Sequence, residues 1–217
     1  MSLEDKFLLH DIKNKLHIIN LSVDMLKEAL LSKNIEEALD YAERLQRNAS
    51  NVNEMIVETI SAPKPVFIIP LLDGLIADLK KTFLTTRFNV GCTTIDPMVL
   101  GRSREISRVF ENIMSNGLEE LNKWVGLSKL LDIRVGIDSQ FVLVSIQNNG
   151  AMIPLKVGSL DYIFNMGESG NGSTGIGLFY VKKTISEMGG TVEVRNTDPQ
   201  SGFGVEFFLK LPRADAF

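Results

Sequence analysis

The chain has a single cysteine, Cys92, so no disulfide can form within it. That usage fits a reducing compartment, and Cys92 is expected to be a small buried hydrophobe rather than a nucleophile. No apolar run is long enough to cross a membrane: the longest, over residues 66–79, is interrupted by Pro70, Asp73 and Asp78. Nor is a signal peptide expected at the start, because Lys6 and Asp11 break it and no cleavage pattern follows. A basic patch or stripe is also missing, and the net charge is -4, which argues against a nucleic-acid partner. The pairs Lys80-Lys81 and Lys182-Lys183 read as solvated helix faces. Internal repeats and low-complexity tracts are absent. These exclusions leave a cytoplasmic protein of ordinary globular composition, 44% hydrophobic and 23% charged over 217 residues, enough for one large or two small domains.

Proline and glycine are nearly absent from the first sixty residues, and that scarcity divides the chain. Pro63 and Pro65 end a helix and form a short stiff linker. Before them, Leu8, Ile12, Leu16, Ile19, Val23, Leu26 and Leu30 recur at spacings of three and four, which predicts a helix over 4–32. Asn34 is a good N-cap for a second helix running to about Ile60, with Glu37 three residues later as in a capping box. Leu39, Ala42, Leu45, Ala49, Val52 and Ile56 share one of its faces. Two helices of roughly 40 Å at 1.5 Å per residue make a hairpin. A lone hairpin cannot bury both sides of its stripe, so pairing of two copies into a homodimeric four-helix bundle is expected.

From Val66 on, strand and helix patterns mix, giving an α+β chain overall. Helices are predicted over 70–82, 104–122 and 176–188, the last stopping at Gly189-Gly190. Strands are predicted over 88–95, 98–100, 131–137, 141–147, 191–195 and 205–211, with an antiparallel hairpin turning at Asp138-Ser139-Gln140. This order suggests helices packed on one face of a mostly antiparallel sheet, an α/β sandwich.

The densest local signal is Gly170-Asn171-Gly172-Ser173-Thr174-Gly175-Ile176-Gly177-Leu178, which leads directly into a helix. Glycine permits close backbone approach to a ligand, and a helix start there aims free N–H groups and a positive dipole end at the loop. That combination is an anion cradle suited to phosphate. Asn112 and Asn116, four apart, place two amides on one helical face. Amide oxygens are neutral hard ligands for a Mg²⁺ ion already balanced by phosphates. The segment Asn148-Asn149-Gly150-Ala151-Met152-Ile153-Pro154 ends a strand with a polar group able to receive an adenine amino group, and Gly150 allows a ring close by. Tyr162-Ile163-Phe164 reads as hinge and wall of a lid.

In order and spacing, these four motifs resemble the ATP-binding domain of sensor histidine kinases, the Bergerat fold also found in type II topoisomerases, Hsp90-type chaperones and mismatch-repair ATPases. The resemblance covers nearly all of the chain after Val66. It implies ATP contacts from Asn112, Asn116, Asn148, Gly150, Gly172, Thr174, Gly175, Gly177 and Leu178, with Asn112 and Asn116 also holding Mg²⁺. Within the first helix, His10-Asp11-Ile12-Lys13-Asn14-Lys15-Leu16 looks like the phosphoacceptor box of the histidine kinase dimerisation domain. His10 would accept the phosphoryl group, Asp11 would orient the ring and take its proton, and Asn14 would position ring or phosphate one turn below. His17 is the internal competitor, but isoleucines follow it rather than an acid.

Domains are therefore expected at 1–62, a dimerisation and phosphoacceptor hairpin, and 66–217, a catalytic ATP-binding domain. The implied activity is an ATP-dependent protein histidine kinase of a two-component system, passing phosphate to an aspartate of a response-regulator receiver domain. Only nine residues precede His10, so the signal is expected from a removed upstream sensor or from a separate sensor protein. Several positions depart from the family pattern. Asn148 stands where it has aspartate, Met152 where it has a second glycine, and Arg102 where an aspartate is common, while residues 165–174 carry no lysine or arginine. These departures define an alternative, a histidine phosphotransferase relay with a degenerate ATPase-like domain. A third possibility, an anti-sigma-type serine kinase, has no need of the His10 helix.

Overall fold

The computed structural model describes residues 3–60, 62–94, 97–123, 128–156, 159–167 and 175–216. The chain divides into two compact units, Met1–Ser61 and Ala62–Phe217.

The first unit is a helical hairpin, α1 (Leu3–Leu31) and α2 (Ile35–Ile60), joined by a three-residue turn. The turn closes through the Asn34 N–H on the Ala29 carbonyl (2.9 Å), with Lys33 in the left-handed region at φ 59°. Asn34 caps α2 through its Oδ1, which accepts from the Glu37 N–H at 3.3 Å. Glu37 answers by accepting from the Asn34 side-chain amide at 2.9 Å, rather than from the backbone N–H that a full capping box would use. Small residues fill the seam: Ala29, Ala38 and Ser22 are buried, while Leu16, Leu30 and Leu39 remain exposed.

The second unit carries two sheets. A two-stranded antiparallel ribbon pairs β1 (Lys64–Phe67) with β3 (Met98–Gly101). The main sheet has five strands in the order β2 (Thr86–Cys92), β4 (Lys129–Ile137), β5 (Phe141–Asn148), β7 (Val205–Pro212), β6 (Thr191–Asn196). All neighbours are antiparallel except β2 and β4, which run parallel because β3 and α4 (Ser103–Lys123) intervene as a crossover. The β4–β5 turn is held by Asp138, whose Oδ1 accepts from the N–H groups of Gln140 and Phe141.

Helices α3 (Ile68–Thr82), α4 and α5 (Gly177–Glu187) cover one face of this sheet. On α4, Ile106, Val109, Phe110, Ile113, Met114, Gly117, Leu118 and Leu121 are all buried, the three-and-four spacing of an amphipathic helix. Strand β5 alternates, burying Val142, Val144, Ile146 and Asn148. Alternation thus delivers one polar residue, Asn148, to the inner face at the end of the sheet.

Four sequence expectations need correction. Residues 64–67 form a strand rather than a linker: Pro65 is tolerated because its ribbon is an edge, where a missing N–H costs little. Helix α3 starts at Ile68 and places Pro70 in its first turn, where N–H groups have no intrahelical partner anyway. Cys92 is exposed, because it lies at the end of edge strand β2, with its thiol donating to the Thr94 carbonyl. That strand also begins and ends earlier than its apolar pattern suggested, since its pairing runs from Thr86 opposite Lys129 to Cys92 opposite Val135.

Candidate functional site

The end of β5, the middle of α4 and the start of α5 enclose a cleft of about 710 Å³. Asn112, Asn116, Asn148, Met152, Gly175 and Gly177 line it. On α4, burial of Ile113 and Phe110 fixes the roll of the helix, and that roll turns the Asn112–Asn116 face to the cleft. Asn116 donates its Nδ2 to the Asn112 carbonyl at 2.8 Å, which commits the nitrogen and leaves Oδ1 for a ligand. A Cβ at Gly177 would stand 2.9 Å from Asn112 Oδ1, so only glycine lets α5 begin this close to α4. The Asn112 Nδ2 is buried with no partner among the described residues. An orphaned buried donor in a polar cleft is one contact short of satisfaction, and a phosphate oxygen is a fitting complement. Two neutral amide oxygens also suit a Mg²⁺ whose charge the phosphates balance, and Glu119 and Glu120 line the same cleft further along α4. Just before Asn112, desolvation raises the Glu111 carboxyl above its ordinary range and Asp78 adds to the rise, against the downward pull of Arg108 and Arg104.

The opposite wall is built by a set of backbone staples. Asn148 is 5% exposed, and its Oδ1 accepts from the Gly150 N–H at 3.0 Å. Its neighbour Asn149 turns away from the cleft. The Asn149 side chain accepts from the Leu130 N–H (2.7 Å) and donates to the Ser128 carbonyl (2.8 Å), tying the segment to β4. Gly204 donates its N–H to the Asn148 carbonyl at 2.8 Å, and a Cβ there would fall 2.0 Å from the Gly150 carbonyl oxygen. Beyond the turn, Asn196 clasps Ile153 with its side chain, accepting from the N–H (2.9 Å) and donating to the carbonyl (2.8 Å). Met152 lines the cleft and is 42% exposed, so it forms a movable wall rather than a packed plug.

Ahead of α5, Gly175 takes φ 63°, and Ile176 caps the helix without any side-chain hydrogen bond. The first turn of α5 carries no acidic residue, so the positive end of its dipole meets the cleft at Gly177 and Leu178 uncompensated. Tyr162 and Ile163 line the cleft, while Phe164 is buried edge-on against Phe207 and anchors the segment. The Tyr162 hydroxyl donates to the Pro154 carbonyl at 2.8 Å. Lys156 also lines the cleft, with its Nζ 4.5 Å from the Tyr162 ring centroid, so a positive side chain reaches the site from the segment that follows β5.

Of the residues singled out from sequence, Asn112, Asn116, Asn148, Gly175, Gly177 and Leu178 come together in this cleft, and Gly150 abuts Asn148 just behind it. Gly172 and Thr174 lie outside the described residues. His10 and Asp11 fall on α1, but their side chains also lie outside the description; Asn14 is exposed one turn further along. Sequence reasoning missed Gly204, Asn196, Gly117 and Lys156. The glycine pair Gly202 and Gly204 before a strand does signal close backbone approach, whereas nothing local marks Asn196 or Lys156.

Residues 101–215 match the family described as histidine kinase-, DNA gyrase B-, and HSP90-like ATPases, more than half of the chain. The chain belongs to that family. Among its relatives, sensor protein RprX of Bacteroides fragilis (strain YCH46) is 26% identical over 225 residues, covering 94% of this chain and 42% of RprX. The chain spans less than half the length of the curated relatives it matches. The solved catalytic domain of histidine kinase ThkA, in a nucleotide-free form, is 23% identical, with a TM-score of 0.60 over 70% of this chain and 99% of that domain. Full-length ShkA in complex with AMPPNP is 19% identical, with a TM-score of 0.59 over 96% of this chain and 46% of its own. At these identities the two solved structures speak to fold: an α+β unit of the Bergerat ATPase type behind a two-helix segment.

Proposed function

We propose that this chain is the core of a homodimeric, cytoplasmic histidine kinase of a two-component system. The observation that carries it is the shared cleft: two helix amides, a buried strand-end amide and an uncapped glycine-flanked helix start around one cavity. In this reading the purine lies against the Asn148–Ile153 wall. The phosphates lie along the N-terminus of α5, where backbone N–H groups and the Asn112 amide donate to them. Asn112 and Asn116 oxygens would hold Mg²⁺, which when bound supplies charge neutralisation for the phosphates. Catalysis then rests on positioning and electrostatics, as in phosphoryl transfer generally. A ring nitrogen of His10 attacks the γ-phosphorus, ADP leaves with the bond electrons, and Asp11 takes the imidazole proton. An aspartate of a receiver domain next removes the phosphoryl group from His10. The input reaches the kinase from an upstream segment or a separate sensor protein.

The test is transfer of label from γ-labelled ATP to the protein. Acid-labile label is expected, and it disappears in His10→Gln; label persisting in that variant removes His10 from the role.

A second reading, a phosphate relay that binds no nucleotide, draws on Asn148 and Met152 in the base pocket. The asparagine pair, Gly177 and the open start of α5 argue for the kinase. Calorimetry separates the two, because a relay gives no heat with Mg·ATP at millimolar concentration.

A further inference from the structure

We infer that the base pocket accepts a 6-oxopurine as well as adenine, with Asn148 as the residue that loosens the choice. This rests on the reading of the cleft as a purine nucleotide site. Asn148 is nearly buried, and its orientation is fixed chemically: the Gly150 N–H is a donor, so the amide atom 3.0 Å from it is the oxygen. The nitrogen therefore lies on the other side, toward α4. There a Cβ at Gly117 would sit only 3.3 Å from Nδ2, so the glycine leaves room for the amide. Among the described residues Nδ2 has no partner, although Asn148 lines the cleft. The side chain thus offers the cleft both a donor and the second lone pair of Oδ1.

The base edges decide what this means. Adenine presents an amino donor at position 6 and an acceptor at N1. Hypoxanthine and guanine reverse both, with an oxygen at position 6 and N–H at N1. A carboxylate has acceptors only, so it takes the adenine amino group and repels the 6-oxygen. An amide matches either edge: Oδ1 with the amino group and Nδ2 with N1, or Nδ2 with the 6-oxygen and Oδ1 with N1–H. The adjoining wall of Ala151, Met152 and Ile153 offers mainly apolar surface, which holds any purine ring alike. On this wall, residues 148 and 151–153, the side chain that can read the base edge is Asn148, and its amide satisfies either pattern.

The experiment is calorimetric titration of the full chain with Mg·ATP and Mg·ITP; inosine triphosphate carries the 6-oxo edge without the 2-amino group of guanine. The two dissociation constants are expected to lie within about tenfold of each other, tenfold being the worth of one good base-edge pair. In Asn148→Asp the ratio should move toward ATP by at least about tenfold. A wild-type preference for ATP above tenfold overturns the inference, as does an Asn148→Asp protein that binds with an unchanged ratio. If the variant does not fold, the wild-type ratio still decides. Absence of heat with either nucleotide is a different failure: it removes the nucleotide reading, and this inference with it.

Discussion

The two units of this chain solve the burial problem in opposite ways. In the ATPase unit the large side chains are inside: Phe110, Leu118, Leu121, Ile133 and Val144 are at most 0% exposed. Among the described side chains of the hairpin the buried ones are small, Ala29, Ala38 and Ser22, while Leu21 is 53% and Leu39 61% exposed. Two helices alone have one seam, and an apolar arc wider than that seam stays in water. The ATPase unit can therefore hold its fold from within, whereas the hairpin leaves large apolar side chains exposed, the surface the proposed dimer would use.

The largest effect expected is within the ATPase core. Leu118→Ala removes a fully buried side chain between α4 and the sheet and should cost about 2–5 kcal/mol, read as a lower urea midpoint at unchanged slope. The same truncation at Leu31, 85% exposed, should move stability by no more than about 0.5 kcal/mol. Dilution tests the other half of the contrast. If hairpins pair, a hundredfold dilution weakens the hairpin transition by about 2.7 kcal/mol through mass action and leaves the ATPase transition in place. A hairpin that melts at one temperature across that range stands without a second copy.

The contrast also explains what could be seen in the sequence. Helical periodicity is local, so α1, α2 and α4 were legible within a residue or two, and the β4–β5 hairpin was marked by Asp138. Strand β1 was hidden because its prolines spell a linker, and only its partner at residues 98–101 makes it a strand. The exposure of Cys92 depends on β2 being the edge of the sheet, which no window of sequence contains. In the cleft, the glycines and asparagines announced themselves by spacing. Asn148 carries the limit of that method: its identity was plain, but the Gly150 N–H that claims its oxygen emerged only from the turn geometry. Gly204 acts far along the chain by approaching the Gly150 carbonyl, a contact that only the β5–β7 pairing creates.

A smaller effect is expected where the hairpin turns. Asn34→Ala removes both the cap on the Glu37 N–H and the side-chain bond to Glu37, and should cost about 1 kcal/mol, confined to the hairpin transition. Loss from the ATPase transition instead would mean that the two units unfold together.

The last difference is in acid. Glu206 of β7 is nearly buried on a polar ladder of the sheet, where its carboxylate accepts from the Ser145 hydroxyl at 2.5 Å and from Arg195. Desolvation pushes its pKa up, but the bonds from Ser145, Arg195 and Gln147 and the charge of Arg195 outweigh it, so the net shift is downward. A carboxyl with a lowered folded pKa contributes stability that is present above its ordinary pKa and lost as pH falls through the lowered one. Asp138, held low by the N–H groups of Gln140 and Phe141, acts in the same direction. The hairpin ion pairs that the structure shows, Asp24 with Lys27 and Asp40 with Arg44, are exposed and worth little. Acid should therefore lower the ATPase transition first. Glu206→Gln should flatten that acid limb, with the gap between variant and wild type widest near neutrality and closing below the carboxylate range. Parallel curves at every pH would show that Glu206 holds the sheet by packing alone.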